Sequence, residues 1–169
     1  MTCHYLRYES AIGELLLVEE LGFVREIRFA LDEGQHAVEA DWNEGSGLLE
    51  EVRNQLNQYF SGERREFDLP LRPEGTAFQR DVWKALSEVP FGETISYGEL
   101  ARRLGKQGAS RAVGAANGNN PIPIVIPCHR VVGWDGRLTG FAGGIDLKRR
   151  LLEHEERSTA AQGMLFSTN

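Results

Sequence analysis

The sequence predicts an α/β chain: a strand-rich first half and a mainly α-helical second half that carries a helix-turn-helix. Three observations predict it. Apolar runs flank a tight Gly-containing turn near the start, as in a hairpin. Apolar residues recur at helical spacing after residue 75, behind two capping-box signatures. Between the halves, Leu69-Pro70-Leu71-Arg72-Pro73-Glu74-Gly75 cannot continue a regular element and reads as a linker. Residues 1–74 and 75–169 are therefore expected to form separate domains, and 169 residues are enough for two small ones.

Composition narrows the class. A hydrophobic share of 41% and a charged share of 26% belong to a globular chain, not a disordered one. No apolar run approaches the roughly 20 residues of a membrane span, so no membrane partner is expected. The start, Met-Thr-Cys-His-Tyr, lacks a signal-peptide pattern, and a cytoplasmic location is expected. Two distant cysteines, Cys3 and Cys128, suit a reducing compartment better than a disulfide framework. The net charge of −6 is unevenly spread. Residues 1–74 hold seven Lys/Arg against sixteen Asp/Glu, whereas residues 75–169 hold twelve against nine. A weakly basic second half permits a phosphate-facing surface there, although scattered solvated charges would give the same count.

Gly13–Val18 and Phe23–Phe29 are the predicted strands, joined through Glu20-Leu21-Gly22. Residues 32–47 read as a loop. Leu48, Leu49, Val52, Leu56, Tyr59 and Phe60 form a helical stripe that Ser61-Gly62 ends, and Glu66–Leu69 is expected to return to the sheet. In the second half, Thr76 with Gln79 opens a helix bearing Phe78, Val82, Trp83 and Leu86, which Pro90-Phe91-Gly92 breaks. Ser96 with Glu99 opens a short helix that stops at Gly105. After Lys106-Gln107-Gly108, residues 109–116 form a second short helix with very small side chains. Such a pair resembles a helix-turn-helix, a motif also common in proteins that never touch DNA. The small side chains admit a close approach, either to this protein's own core or to a nucleic-acid groove.

The chemistry-bearing segment is Ile122-Pro123-Ile124-Val125-Ile126-Pro127-Cys128-His129-Arg130-Val131-Val132. A lone buried cysteine is usually inert. Here an imidazole and a guanidinium follow it at once, and a neighbouring base or cation is what turns a thiol into a nucleophilic thiolate. Adjacent residues tend to point apart, so a Cys128–His129 partnership calls for a bend or a bridging water. Cys3-His4 and Cys128-His129 lack the spacing of structural zinc sites, and no metal is expected. Gly133-Trp134-Asp135-Gly136 is a turn, and Phe141-Ala142-Gly143-Gly144 is a small-residue loop that can wall a flat pocket. Asp146 is expected to cap a last helix with Leu147, Leu151 and Leu152 inward. Glu155 lies on that same side, either as a solvated edge residue or as the partner that orients a histidine. The tail from Ser158 onward is uninformative.

Taken in order, these segments resemble the O6-alkylguanine-DNA alkyltransferases (methylated-DNA–protein-cysteine methyltransferases) of the single-function type. The resemblance rests on Pro127-Cys128-His129-Arg130 and on blocks at matching spacing: Gly75-Thr76-Ala77-Phe78-Gln79, Val82-Trp83-Lys84-Ala85-Leu86, Phe91–Tyr97, Arg111-Ala112-Val113-Gly114, Asn120-Pro121, Gly143-Gly144 and Leu151–Glu155. It is dense from residue 75 to about 156 and looser before.

The resemblance implies a ribonuclease-H-like N-terminal domain and a C-terminal domain that binds DNA and accepts the alkyl group. It makes Cys128 the acceptor, His129 its base through a water and Glu155 the residue orienting His129. Tyr97 would help rotate the nucleotide and protonate the departing guanine, and Asn120 would be the hinge before the active-site loop. The helix-turn-helix would enter the minor groove through Ser110, Ala112, Gly114 and Ala115, with Arg111 filling the gap left by the extruded base. Val131, Phe141, Ala142 and Gly143 would line the substrate pocket. No cofactor is implied. The implied partner is double-stranded DNA containing O6-alkylguanine, with O4-alkylthymine as a further substrate and further copies of the chain along the DNA.

Three departures stand out. Phe141 replaces the Tyr of many relatives, and Ala142 the Ser of some. The histidine-and-cysteine zinc site of some relatives has no counterpart. The methylphosphotriester-sensing domain of bifunctional relatives is not matched, so no transcriptional role is expected. Cys128 also separates the chain from alkyltransferase-like proteins, which carry tryptophan there. Two other readings remain open: a lesion sensor that flips the base without transfer, and a Cys-His-Glu hydrolase that turns over.

Overall fold

The computed structural model describes residues 2–30 and 37–167, with side chains through residue 163. Part of the expected 32–47 loop thus lies outside the described residues. The chain divides into two compact units, residues 1–76 with 120–125 and residues 77–119 with 126–169.

In the first unit, strands β1 (Cys3–Ser10), β2 (Gly13–Glu20), β3 (Phe23–Phe29) and β4 (Asn43–Glu44) form a sheet of order β3-β2-β1-β4. The β1–β2 and β2–β3 pairs are antiparallel, and β4 joins β1 in parallel. The two-residue Leu21-Gly22 connection has positive φ at both positions (54° and 80°), the backbone that suits strand twist. Strand β2 is central, and every residue from Leu15 to Glu19 is buried. Its unbroken apolar run follows from that place. Strand β1 was not expected from its sequence, because Tyr5, Leu6, Arg7 and Glu9 blur the alternation.

Helix α1 (Gly47–Phe60) packs on the sheet through Leu49, Val52, Leu56 and Tyr59. Ser46 caps it, accepting from Leu49 N–H at 3.1 Å while donating to the buried Glu19 carboxylate at 2.7 Å. Buried Gln55 then holds the returning chain, bonded to both backbone polar groups of Asp68. The return pairs later than expected, as a single parallel bridge of Leu71 with Val24. That bridge uses only the Pro70 carbonyl and the Arg72 N–H, so the prolines that rule out a strand still permit it.

In the second unit, α2 (Ala77–Leu86) buries Val82, Trp83 and Leu86. Strand β5 (Ile95–Ser96) leads into α3 (Tyr97–Arg103), and a Gly105- and Gly108-bearing turn leads to α4 (Ser110–Gly118). Ser96 caps α3, accepting from Glu99 N–H at 3.1 Å. The reciprocal half of the expected capping box is not formed. The exposed Glu99 carboxylate turns to Arg102 and Arg103 instead, which holds its carboxyl down at about 2. A 3₁₀ turn (Cys128–Arg130) and β6 (Val131–Val132) follow, with β6 parallel to β5.

Helix α5 runs from Ile145 to Ser167 and takes in residues 158–167 of the uninformative tail. Asp146 stands in its first turn, paired with Arg149 at 2.9 Å, rather than at the cap, because the Gly144 carbonyl already accepts from Lys148 N–H. Among the described residues, no helix is long and apolar enough to cross a membrane.

Candidate active site

The backbone before Cys128 is unusual for a buried segment. Pro121, Pro123 and Pro127 cannot donate to a ladder, and Ile124 adopts a positive φ of 73°, a strained conformation for a β-branched residue. Asn120 Oδ1 accepts from Ile122 N–H at 3.0 Å, and Ile27 N–H binds the Pro121 carbonyl at 2.9 Å. Residues 120–125 thereby belong to the first unit, so Asn120 stands in a different unit from Cys128.

The 3₁₀ turn then provides the bend that adjacent residues require. Cys128 N–H donates to the Ile126 carbonyl at 2.8 Å and Arg130 N–H to the Pro127 carbonyl at 3.1 Å. All three side chains are buried, with Cys128 4% exposed and His129 fully covered. The Cys128 thiol is therefore nearly covered.

Glu155 gathers the site. Its carboxylate lies 2.6 Å from His129 Nε2, accepts from Arg130 Nε at 2.8 Å and Nη2 at 3.2 Å, and accepts from Gly92 N–H at 3.1 Å. Burial alone would raise its carboxyl. Hydrogen bonds and charge from His129 and Arg130 outweigh burial and hold it well below the usual carboxylate range. Arg130 also donates to the Val89 carbonyl at 2.6 Å. Gly92 is required here, since its φ is +81° and a Cβ would stand 2.5 Å from Thr159 Oγ1.

Burial pushes the His129 imidazole below its ordinary value, despite the opposing pull of Glu155. A neutral ring beside an ionised carboxylate donates through Nε2, which leaves the Nδ1 lone pair as acceptor. Nδ1 is buried without a hydrogen-bond partner among the described residues.

The solvent-side group lies nearby in the same unit. Tyr97 hydroxyl donates to the Thr139 carbonyl at 3.3 Å and accepts from Thr139 Oγ1 at 3.1 Å. Lys148 Nζ donates to the same carbonyl at 2.7 Å and lies 5.9 Å from the centroid of the Tyr97 ring. Burial pushes Lys148 down to about 8, while negative charge on Cys128 would pull it back up. On α4, Val113, Ala116 and Asn117 are buried, whereas Arg111, Ala112 and Ala115 are exposed on the opposite face. Ser110 and Gly114 are half-buried, with the Gly114 Cβ position 3.6 Å from the Tyr97 ring. Tyr97 and the small-residue helix thus meet. Val131 is wholly buried in the β5–β6 pair, Phe141 and Gly143 are half-buried and Ala142 is exposed.

Three contributors escaped the sequence reading: Lys148, Asn117 and the clamp formed by Arg130. One signal was available. Lys148, Leu151 and Glu155 share a stripe on α5, and a charge at either end of an apolar stripe marks a buried polar site.

A family model described as the 6-O-methylguanine DNA methyltransferase ribonuclease-like domain matches residues 3–73, and one described as the DNA binding domain of the same family matches residues 77–157. The chain belongs to the 6-O-methylguanine DNA methyltransferase family. It is 48% identical, over 92% of its length and 98% of the relative's, to a methylated-DNA–protein-cysteine methyltransferase of Methanosarcina barkeri. The Mycobacterium tuberculosis protein of that name is 47% identical over 96% of this chain and 98% of its own. Among solved structures, Mycobacterium tuberculosis O6-methylguanine methyltransferase superposes with a TM-score of 0.86 at 46% identity, covering 97% of this chain and 99% of that one. The same organism's OGT in complex with DNA gives 0.83 at 46% identity, covering 92% and 94%. The mixed α/β architecture, a sheet unit followed by a helical unit, is that of these methyltransferases.

Proposed function

We propose that this chain repairs DNA by moving the alkyl group of O6-alkylguanine, and of O4-alkylthymine, onto Cys128 in a single irreversible turnover. The observation that carries the reading is the Cys128–His129–Glu155 arrangement, with His129 anchored to Glu155 through one nitrogen and carrying a buried, unpartnered lone pair on the other. In this reading the Cys128 proton passes to Nδ1 through a bridging water. The sulfur attacks the alkyl carbon, the carbon–oxygen bond breaks, and its electron pair leaves on guanine. Tyr97 hydroxyl supplies the proton the guanine needs, and the proton taken up by His129 returns through solvent. The product is a thioether, which general acid–base groups do not cleave, so each molecule acts once.

The lesion must leave the stack to reach a buried sulfur, at a cost of a few kcal/mol that weakened pairing reduces. The exposed face of Arg111, Ala112 and Ala115 suits close approach to a groove, with Arg111 filling the gap and Asn120 as the hinge. With so little positive charge, affinity for DNA is modest and salt-sensitive. The reading also includes a division of labour at residues 74–75, action in the cytoplasm, and further copies of the chain on one DNA.

The test is incubation with an oligonucleotide containing O6-methylguanine, followed by intact mass and peptide mapping. One added methyl per molecule, on Cys128 and lost in Cys128→Ser, is expected. Repeated turnover would make the protein a hydrolase, and an unmodified thiol despite binding would make it a sensor. A second expectation concerns Arg111→Ala. Repair of duplex DNA should fall about tenfold or more, while reaction with free O6-benzylguanine changes little. Equal losses on both substrates would remove the gap-filling role.

A further inference from the structure

We propose that Asn117 is a positioning residue for alkyl transfer, holding the Cys128 turn with one amide atom and orienting the proton-relay water with the other. This rests on the Cys128–His129 reading above. Asn117 shares the buried face of α4 with Val113 and Ala116 and is 2% exposed. Its Nδ2 donates to the Cys128 carbonyl at 3.3 Å. Its Oδ1 is buried and has no hydrogen-bond partner among the described residues. The amide orientation is set by chemistry, because the reverse would turn an acceptor onto a carbonyl oxygen.

An unmet buried acceptor is costly, and an apolar side chain at this position would avoid the cost. Among the described residues of the second unit, the buried side-chain atoms without partners are Asn117 Oδ1 and His129 Nδ1. One belongs to the residue that grips Cys128, the other to the residue that follows Cys128. Both are acceptors. A single water has two hydrogens to give them and an oxygen lone pair for the Cys128 S–H, which matches the two to four partners of a buried water.

The relay balances with the amide unchanged. The Cys128 proton passes to the water oxygen, the water hydrogen facing His129 passes to Nδ1, and the hydrogen bond to Asn117 Oδ1 persists. The residue also links recognition to chemistry. Trp83 Nε1 fixes the Ala116 carbonyl at 2.8 Å, so the last turn of α4 is held firmly where Asn117 begins its reach to Cys128.

The test uses the full chain with Asn117→Leu, close in size, and Asn117→Thr, which keeps one hydroxyl. Thermal melts establish folding, and single-turnover alkylation by free O6-benzylguanine is followed from acid to alkaline pH. Asn117→Leu should melt at or above the parent temperature, react at least about tenfold more slowly at neutral pH, and show its pH midpoint moved upward by about one unit. Asn117→Thr should fall between. Unchanged midpoints, slower reaction with no pH shift, or loss of the fold in both variants would each overturn the proposal. Failure of the parent itself to be alkylated on Cys128 would overturn the transfer reading instead, so the two failures are distinguishable.

Discussion

Glu155→Ala should cost about 3–5 kcal/mol of folding stability and leave little transfer activity. The carboxylate is 1% exposed and accepts hydrogen bonds from His129, Arg130 and the Gly92 backbone. Its removal leaves the Arg130 guanidinium buried with only the Val89 carbonyl for a partner among these contacts. Breaking a buried pair from one side is expensive because the surviving charge has lost its solvation and its partner. Urea titration reads this directly.

Glu155→Gln separates chemistry from folding. It keeps the shape and one acceptor oxygen, so its stability loss should be smaller. An amide is a weaker anchor than a carboxylate for the His129 Nε2–H, and single-turnover rate should still fall about a hundredfold or more. A Glu155→Gln protein that transfers at the parent rate would deny Glu155 its orienting role.

The same hub sets the response to acid. Burial holds His129 below its ordinary 6.5, and its partners hold Glu155 below its ordinary 4.5. In both cases the unfolded chain binds more protons than the folded one, so stability rises with pH. The contribution is present above the unfolded values and is lost as pH falls, first through about 6.5 for His129, then below about 4.5 for Glu155. Denaturation midpoints measured between about pH 2 and 8 should decline towards acid in the parent, and Glu155→Gln should lose the step below about 4.5.

How far the sequence revealed this arrangement differs from one residue to another. Leu15–Val18 and the Leu21-Gly22 turn were legible because a central strand and a tight hairpin leave strong local marks. Strand β1 was not, since His4, Tyr5 and Leu6 are half-buried in succession and give no clean alternation. The Leu71–Val24 bridge was hidden by the flanking prolines. Cys128 and His129 were visible as chemistry, and Glu155 as a helix-face acid with two possible roles. Which role it plays depends on a contact spanning 26 positions in the chain, and no local pattern encodes that. Asn117 was missed for the same reason: its partner is the Cys128 carbonyl, and backbone atoms leave no trace in residue identity, whereas Lys148 did leave a mark, on one α5 stripe with Leu151 and Glu155.

Lys148→Met should make the protein more stable and a worse repair protein. Lys148 is buried, and burial depresses its ammonium from 10.5 to about 8, which corresponds to roughly 3 kcal/mol spent on a charge at neutral pH. For a depressed group this cost is full below about 8 and disappears as pH rises through 10.5, so the parent should gain stability across that alkaline interval. Methionine fills similar volume without a charge. It forfeits the 2.7 Å bond to the Thr139 carbonyl, leaving a net gain of about 1–3 kcal/mol at pH 7.

The activity change runs the other way. The ammonium interacts favourably with negative charge on Cys128, and by the same interaction it favours the thiolate over the thiol. Without it, alkylation by free O6-benzylguanine should need more alkaline conditions, with the rate at pH 7 down about tenfold or more. Lys148→Arg keeps the charge but adds bulk in a filled site, and should recover activity only in part. If Lys148→Met were stabilised yet reacted with the parent pH profile, the buried charge would serve Tyr97 and Thr139 alone. If it were destabilised, the hydrogen bond to Thr139 would outweigh the burial of the ammonium.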